Sequence, residues 1–460
     1  MLSFREKLAP RRAVGSRGSR GPRAEDRNTM RVFIAATVLL LIALAPTAAA
    51  EPGSGEASLD VATGGAEASS PVPVPDPSEK AMRYYRSGNA LWVINAVWGF
   101  ALPAFLLFTG FSARMRDWAQ AAGRKWLFTI AIYVAIFTVV TFILEFPLAF
   151  YQGFVRPHAY ELSNQSLGKW LGDSLKGLAL SVTFFAMFLW IPYLLLKKSP
   201  RRWWLYTGLA AVPVLIFTIL VSPIWVAPLF NDFGPMKDTA LEAKILVLAH
   251  RAGVEGGNVY EVGMSVDTKQ LGAYVSGVMN TKRIVLYDNI IEKMNDDELL
   301  FVVGHESAHY VLGHVSRWLV VLSATIIGAL WLAHRMSEGI LRRFGKQFGF
   351  DRLSDVASLP LILLMFHVFF LAITPAVFAF GRHMEHEADR FGLEITQNNH
   401  AAATAFVKLQ HQNLGNPRPG ILYKLWRASH PTLGDRIDFA NSYRPWETNE
   451  PLVYTDRFKD

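Results

Sequence analysis

Along the chain, long apolar runs alternate with short polar breaks. The apolar segments fall near residues 91–110, 127–150, 177–196, 204–226, 318–333 and 359–380. Each is close to the roughly 20 residues that a helix needs to cross a bilayer. Six spans are predicted, the fifth short unless it continues from the helix before it. Between the fourth and fifth runs, residues 231–316 have a different texture. "TALEAKILVLAHRAG" has helical spacing and stops at Gly253, whereas "NVYEVGMSV", "GAYVSGV" and "RIVLYDNII" are β-rich, with "MNTK" as the turn joining the last two. "NDDELLFVV" then opens a helix, with Asn295 and Glu298 at the capping-box spacing. The pattern predicts a multi-span α-helical membrane protein carrying a small α/β domain.

Outside these segments the chain divides simply. Residues 1–50 read as a leader: the apolar run 32–45 follows Met30-Arg31, and Ala48 and Ala50 form an A-x-A cleavage pattern. Met30 is a candidate true start, and an uncleaved anchor is the alternative. Residues 51–85, rich in Pro, Gly, Ser and Ala, are expected to be a disordered spacer. Four spans occupy 86–230, the α/β unit 231–316, two spans 317–381, and a C-terminal part 382–460.

Composition supports the membrane reading, with 51% hydrophobic and only 18% charged residues. The net charge of +8 does not point to nucleic acid, because residues 1–31 hold nine Arg or Lys against three acids. There is no cysteine, so a metal must be held by His, Asp or Glu.

The candidate chemistry begins in "VVGHESAHYVLGH", residues 302–314. On a helix His305 and His309 lie about 40° apart and one turn up, close enough to hold one zinc ion, as in a gluzincin-like HExxH helix. Glu306, about 100° round from His305, can reach a water on that metal. His314 falls about 180° from His305, so it is expected to pack or cap rather than ligate. A catalytic zinc needs a third protein ligand. "GRHMEHEADRFGLEIT", residues 381–396, offers one. As a helix it puts Met384, Ala388, Phe391 and Ile395 on an apolar face and Arg382, Glu385 and Asp389 on a polar one. Glu385 is the expected ligand and Asp389, one turn on, the acceptor that orients a ligating histidine, with Arg382 beside them. His383 and His386 compete as ligands.

Five segments together resemble the CAAX prenyl protease 1 family of integral-membrane zinc endopeptidases. They are "PLFNDFGP" (228–235), "AYVSGVMNTKRIVLYDNII" (273–291), "GHESAHYVLGH" (304–314), "RHMEHEAD" (382–389) and "SHPTLGDR" (429–436), and the likeness spans roughly residues 125–440. It implies one Zn2+ on His305, His309 and Glu385, with Glu306 as base and His430 and Arg436 assisting at the substrate carbonyl. It also implies a water-filled chamber within the membrane, which Glu145 would line; His367 is the other ionisable residue noticed in a span. The chain departs from the family at Gly272, where asparagine is usual. Gly272, Ala273 and Tyr274 are the expected substrate strand, an open edge to which an extended polypeptide can add.

Lys and Arg in short loops set orientation. Loops 111–125, 197–202 and 334–358 carry thirteen, the opposite loop 151–173 two. This places the former in the cytoplasm and the zinc site outside, facing the periplasm of a bacterial inner membrane. The resemblance implies the opposite, a cytosol-facing site. The outward reading makes membrane-associated or exported polypeptides the expected substrates, with the lipid bilayer as partner and no nucleic acid. The competing function is a catalytically weak membrane binding protein or chaperone that keeps the protease fold.

Overall fold

The structure, a computed structural model, describes residues 70–254, 257–276 and 282–459. The predicted leader, most of the spacer and the hairpin turn at 277–281 lie outside the described residues.

Six helices among the described residues are long and apolar enough to cross a membrane, in the order the sequence predicts. The first, α1, is Glu79–Phe108, followed by the short amphipathic α2, Phe111–Gly123. The second span is α3, Trp126–Phe150, prolonged through a π-turn to Ala159. Next come α4, Leu167–Phe188, prolonged to Lys198, and α5, Trp203–Val221, prolonged to Leu229. The π-turn in the α5 prolongation contains Pro223, whose missing N–H and bulky ring prevent a regular α-turn. Buried Leu106, Met115, Tyr133, Tyr193 and Leu215 share one apolar core between these helices.

One expectation is corrected at the start of α1. Residues 79–85 were expected to belong to the spacer, but the helix begins at Glu79, where Ser78 Oγ accepts from the Ala81 N–H at 3.1 Å. The end of the spacer is also fastened to the C-terminal part. Asn441 makes reciprocal bonds of 2.8 and 2.9 Å with the Val72 backbone, and Gln410 Nε2 donates to the Pro75 carbonyl at 2.7 Å. These side chains satisfy backbone groups that proline-rich chain cannot pair internally.

The α/β unit runs β1 (Phe233–Pro235), α6 (Thr239–Arg251), β2 (Asn258–Val262), β3 (Ala273–Ser276), β4 (Arg283–Tyr287), α7 (Asp288–Lys293) and α8 (Asp296–Val311); α6, the three strands after it and α8 are as predicted, whereas β1 is additional and the third predicted strand stops at Tyr287, where α7 begins. The sheet order is β1-β2-β4-β3, with β2 parallel to β4 and the outer strands antiparallel. Ala273 faces Leu286 and Tyr274 faces Val285, leaving β3 at the sheet edge. The capping box forms at the head of α8 between Asn295 and Glu298.

Helix α8 does not run on into the fifth span. Gly313 takes a left-handed conformation with φ 69°, which glycine adopts readily, and a new helix, α9 (His314–Phe348), starts after it. The last span, α10 (Leu359–Thr396), does continue unbroken through the "RHMEHEAD" segment, so the expected boundary at 381/382 falls inside a helix, and α11 (Asn399–Gln412), α12 (Ile421–Trp426) and α13 (Leu433–Ser442) follow it. Helices α8 and α10 cross where glycines face each other. A Cβ on Gly304 would lie 3.4 Å from Gly392 Cα, and one on Gly392 would lie 3.1 Å from the His305 amide nitrogen. This close approach brings the two helices' functional side chains together.

The opposite ends of the spans are stitched to one another. Arg116 pairs with Asp355 at 2.6 Å, Ser112 Oγ bonds Tyr133 Oη and the Ala357 carbonyl at 2.7 Å each, and Tyr193 Oη bonds Ser358 Oγ at 3.2 Å. Part of 111–125 and part of 334–358, both cation-rich, therefore meet at one end, away from the α/β domain.

Candidate active site

The site is built where α8 meets α10. Helical spacing stacks His305 and His309 on the face of α8 that looks at α10, with their Nε2 atoms 3.3 Å apart. Glu385 comes from α10. Its Oε2 is 3.4 Å from His305 Nε2 and its Oε1 is 3.6 Å from His309 Nε2. Tetrahedral ligands about 2.0–2.1 Å from a zinc ion stand about 3.4 Å apart, so these separations fit such an ion. Glu385 Oε2 is buried with no hydrogen-bond partner, an atom that a cation would satisfy. His383 and His386 do not join the group: among the described residues the metal-competent trio is His305, His309 and Glu385.

Behind the trio lies a buried polar chain. Asp389 Oδ1 is 2.9 Å from His305 Nδ1, which fixes the ring with Nε2 turned toward Glu385. Arg436, from α13 (Leu433–Ser442), closes on Asp389 through two nitrogens, at 2.9 and 2.5 Å. Its Nη2 also approaches His305 Nδ1 at 3.4 Å. Arg436 is expected at the substrate carbonyl; its guanidinium holds Asp389, and the side chain also lines the cavity with His305 and Glu306.

Burial opposes charge on the His305 ring, but the neighbouring carboxylates of Asp389 and Glu385 outweigh it and raise the ring to about 10. A cation at the three donors would displace that proton. Burial holds His309 neutral, pulled down to about 3 against the opposing charge of Glu385. Burial also pushes the Glu306 carboxyl up to about 7, reinforced by Glu385 and opposed by His305 and Arg436. A base poised near neutrality suits proton transfer.

His430 arrives from the loop before α13, with its Nε2 3.3 Å from Glu385 Oε2 and its Nδ1 2.9 Å from Ser429 Oγ. Arg382, expected beside the ligands, does not reach them. Its Nη1 donates to the Lys424 and Ala428 carbonyls at 2.7 Å each, holding the segment that leads to His430. Two features escaped sequence reasoning. His314 is buried with its Nδ1 3.0 Å from His309 Nδ1, and Glu387 pairs with Arg317 at 2.7 Å beside it. The helix break after Leu312 turns His314 back toward the site, a turn that an uninterrupted wheel cannot show.

A cavity of about 1780 Å³ joins this site to the helical bundle. His305, Glu306, Glu385, His430 and Ala273 line it at the α/β end, and Glu145 and His367 deep among the spans. Glu145 thus lines a cavity, as expected of it. His367 also has a plain packing role, its Nε2 3.0 Å from the Ala96 carbonyl and its ring edge-on to Phe100.

An HExxH metal trio opening into a chamber between membrane-length helices defines a membrane-embedded metalloprotease. Residues 235–444 match peptidase family M48, and residues 74–232 match the CAAX prenyl protease N-terminal region, described as five membrane helices. The chain belongs to peptidase family M48. A Bacillus subtilis relative described as the uncharacterized metalloprotease YhfN is 34% identical over 401 residues, covering 86% of this chain and 92% of that one. The CAAX prenyl protease 1 of Saccharomyces cerevisiae is 24% identical over 323 residues, 66% of this chain and 70% of its own. The crystal structure of S. mikatae Ste24p superposes with a TM-score of 0.68 at 21% identity, covering 78% of this chain and 87% of that one.

Proposed function

We propose that this protein is a zinc-dependent endopeptidase that cuts membrane-associated or exported polypeptides. The observation that carries the reading is the orphaned, buried Glu385 Oε2 beside two imidazole Nε2 atoms, at the spacing a small tetrahedral ion requires. Zinc held by His305, His309 and Glu385 would supply Lewis acidity toward water and the scissile carbonyl.

The chain's own residues have separate roles. Glu306 takes the proton of the attacking water and hands it to the leaving amine. His430 Nδ1 lies 2.9 Å from Ser429 Oγ, and in the tautomer in which it accepts from that hydroxyl, Nε2 carries the proton donated to the developing oxyanion. Asp389, held by Arg436, keeps the His305 ring in the ligating tautomer. Gly272 leads into the edge strand β3, which Ala273 and Tyr274 open, and there a substrate backbone can pair in extended form. Residues 231–316 and 382–460 act together as the catalytic part, on the spans of 86–230 and 317–381. The bias of Lys and Arg in the short loops supports an orientation with that part outside the cytoplasm, facing the periplasm of a bacterial inner membrane.

The test is Glu306→Gln in the purified full-length protein. Hydrolysis of an unfolded polypeptide should fall about 10²–10⁴-fold while zinc content stays near one ion per chain. Hydrolysis that persists in this variant, or that survives chelation and does not depend on added zinc, removes the mechanism.

A further inference from the structure

Two arginines on the cavity wall have no acid partner among the described residues. Arg156, in the prolongation of α3, is only 9% exposed. Its Nη2 donates to the Tyr84 carbonyl at 2.8 Å and its Nε to Ser87 Oγ at 3.2 Å, and its guanidinium lies 3.7 Å from the centre of the Tyr84 ring. Arg427, just after the short helix α12 (Ile421–Trp426), donates to Asn89 Oδ1 and lies 4.7 Å from the Tyr423 ring centre. Among the described residues neither guanidinium forms an ion pair. Both point at Gly88, each with a nitrogen 3.2 Å from where a Cβ would sit there. Glycine thus opens a notch in α1 in which two like charges face each other.

Partly desolvated cations supported only by neutral acceptors are costly unless an anion completes the set. Guanidinium forks match carboxylates and phosphates. Tyr84, Gly88, Arg156 and Arg427 line the same cavity as His305 and Glu385. Arg427 also precedes His430 by three residues, a separation that about three residues of extended substrate can span. An anionic group on a polypeptide engaged at the metal site is therefore within reach of this pair.

We propose that Arg156 and Arg427 bind a carboxylate of the substrate peptide within a few residues of the scissile bond. This rests on the proteolytic reading above. The carboxylate is either the substrate's free C-terminus or an Asp or Glu side chain, the same chemistry from two sources.

The experiment measures binding of three fluorescent peptides to full-length Glu306→Gln protein in detergent, where bound peptide is not cut. They share one neutral apolar sequence and end in a free acid, in an amide, or in an amide with one internal Asp. At least one carboxylate peptide should bind about ten- to a hundredfold more tightly than the plain amide, and which one identifies the source. Arg427→Gln should erase that preference, as should Gly88→Ala, whose methyl intrudes between the guanidiniums. Arg156 also fastens α3 to α1, so Arg427→Gln is the decisive variant. Equal binding of all three peptides, no binding by any, or a preference that survives Arg427→Gln overturns the proposal. So does an Arg427→Gln effect that appears only in phosphatidylglycerol vesicles and ignores peptide charge, since that assigns the pair to a lipid phosphate. Hydrolysis of an unfolded polypeptide by the Glu306 form is scored separately, so loss of the arginine site and loss of the protease reading give different results.

Discussion

His309 Nδ1 lies 3.0 Å from His314 Nδ1, across the helix break at Gly313. When His309 ligates through Nε2, its Nδ1 carries the proton and donates to His314, which then presents an N–H toward Glu387 Oε2 at 3.5 Å. His314→Ala should weaken zinc binding about 10–100-fold, the usual cost of losing a ligand's supporting hydrogen bond. Chelator competition measures this directly, and an unchanged affinity would leave His314 with packing alone.

The Asp389–Arg436 pair is buried, so removing one partner leaves an uncompensated charge. Arg436→Ala should cost about 3–5 kcal/mol of stability and lower metal occupancy with it. The Asp389→Ala/Arg436→Ala double variant should lose less than the sum of the two single changes. Thermal unfolding in detergent checks both, and additive losses would show that the two residues are not coupled.

The α8–α10 crossing depends on the missing side chain at position 392. A methyl there would lie 3.1 Å from both the His305 nitrogen and Phe301 Cε2. Gly392→Ala should cost about 1–3 kcal/mol and reduce zinc retention, because it pushes the ligand-bearing helices apart. Gly339→Ala in α9, with nothing within 4 Å, is the control and should be neutral or stabilising by about 0.5–1 kcal/mol. Equal effects at the two positions would contradict the crossing argument.

Orientation is open to a labelling measurement. The chain has no cysteine, so a single Lys282→Cys substitution gives a clean background. An impermeant maleimide should label it in intact cells. Labelling only after lysis would reverse the loop-charge argument and turn the search toward cytosolic substrates.

Much of this site was legible because its parts repeat at helical or strand spacing. His305, Glu306 and His309 declare themselves within one turn, and the polar face of residues 382–389 supplied Glu385 and Asp389 together. The six spans follow from hydropathy alone. What escaped depends on contacts between distant segments or on one backbone angle. Arg382 was read onto the ligand side because a wheel shows direction but not the Lys424 and Ala428 carbonyls that capture it. His314 was turned away because the wheel assumed a continuous helix through Gly313. Arg436 carried no local signal for its partner, 47 residues earlier in the chain.

The lattice joining Ser112, Tyr133, Tyr193 and Ser358 has a further consequence. Tyr193 lines the cavity as well as bonding Ser358, so the cavity wall and this lattice share a side chain. A change that loosens the lattice at the cation-rich end is thereby felt at the wall of the space that also holds His305 and Glu385.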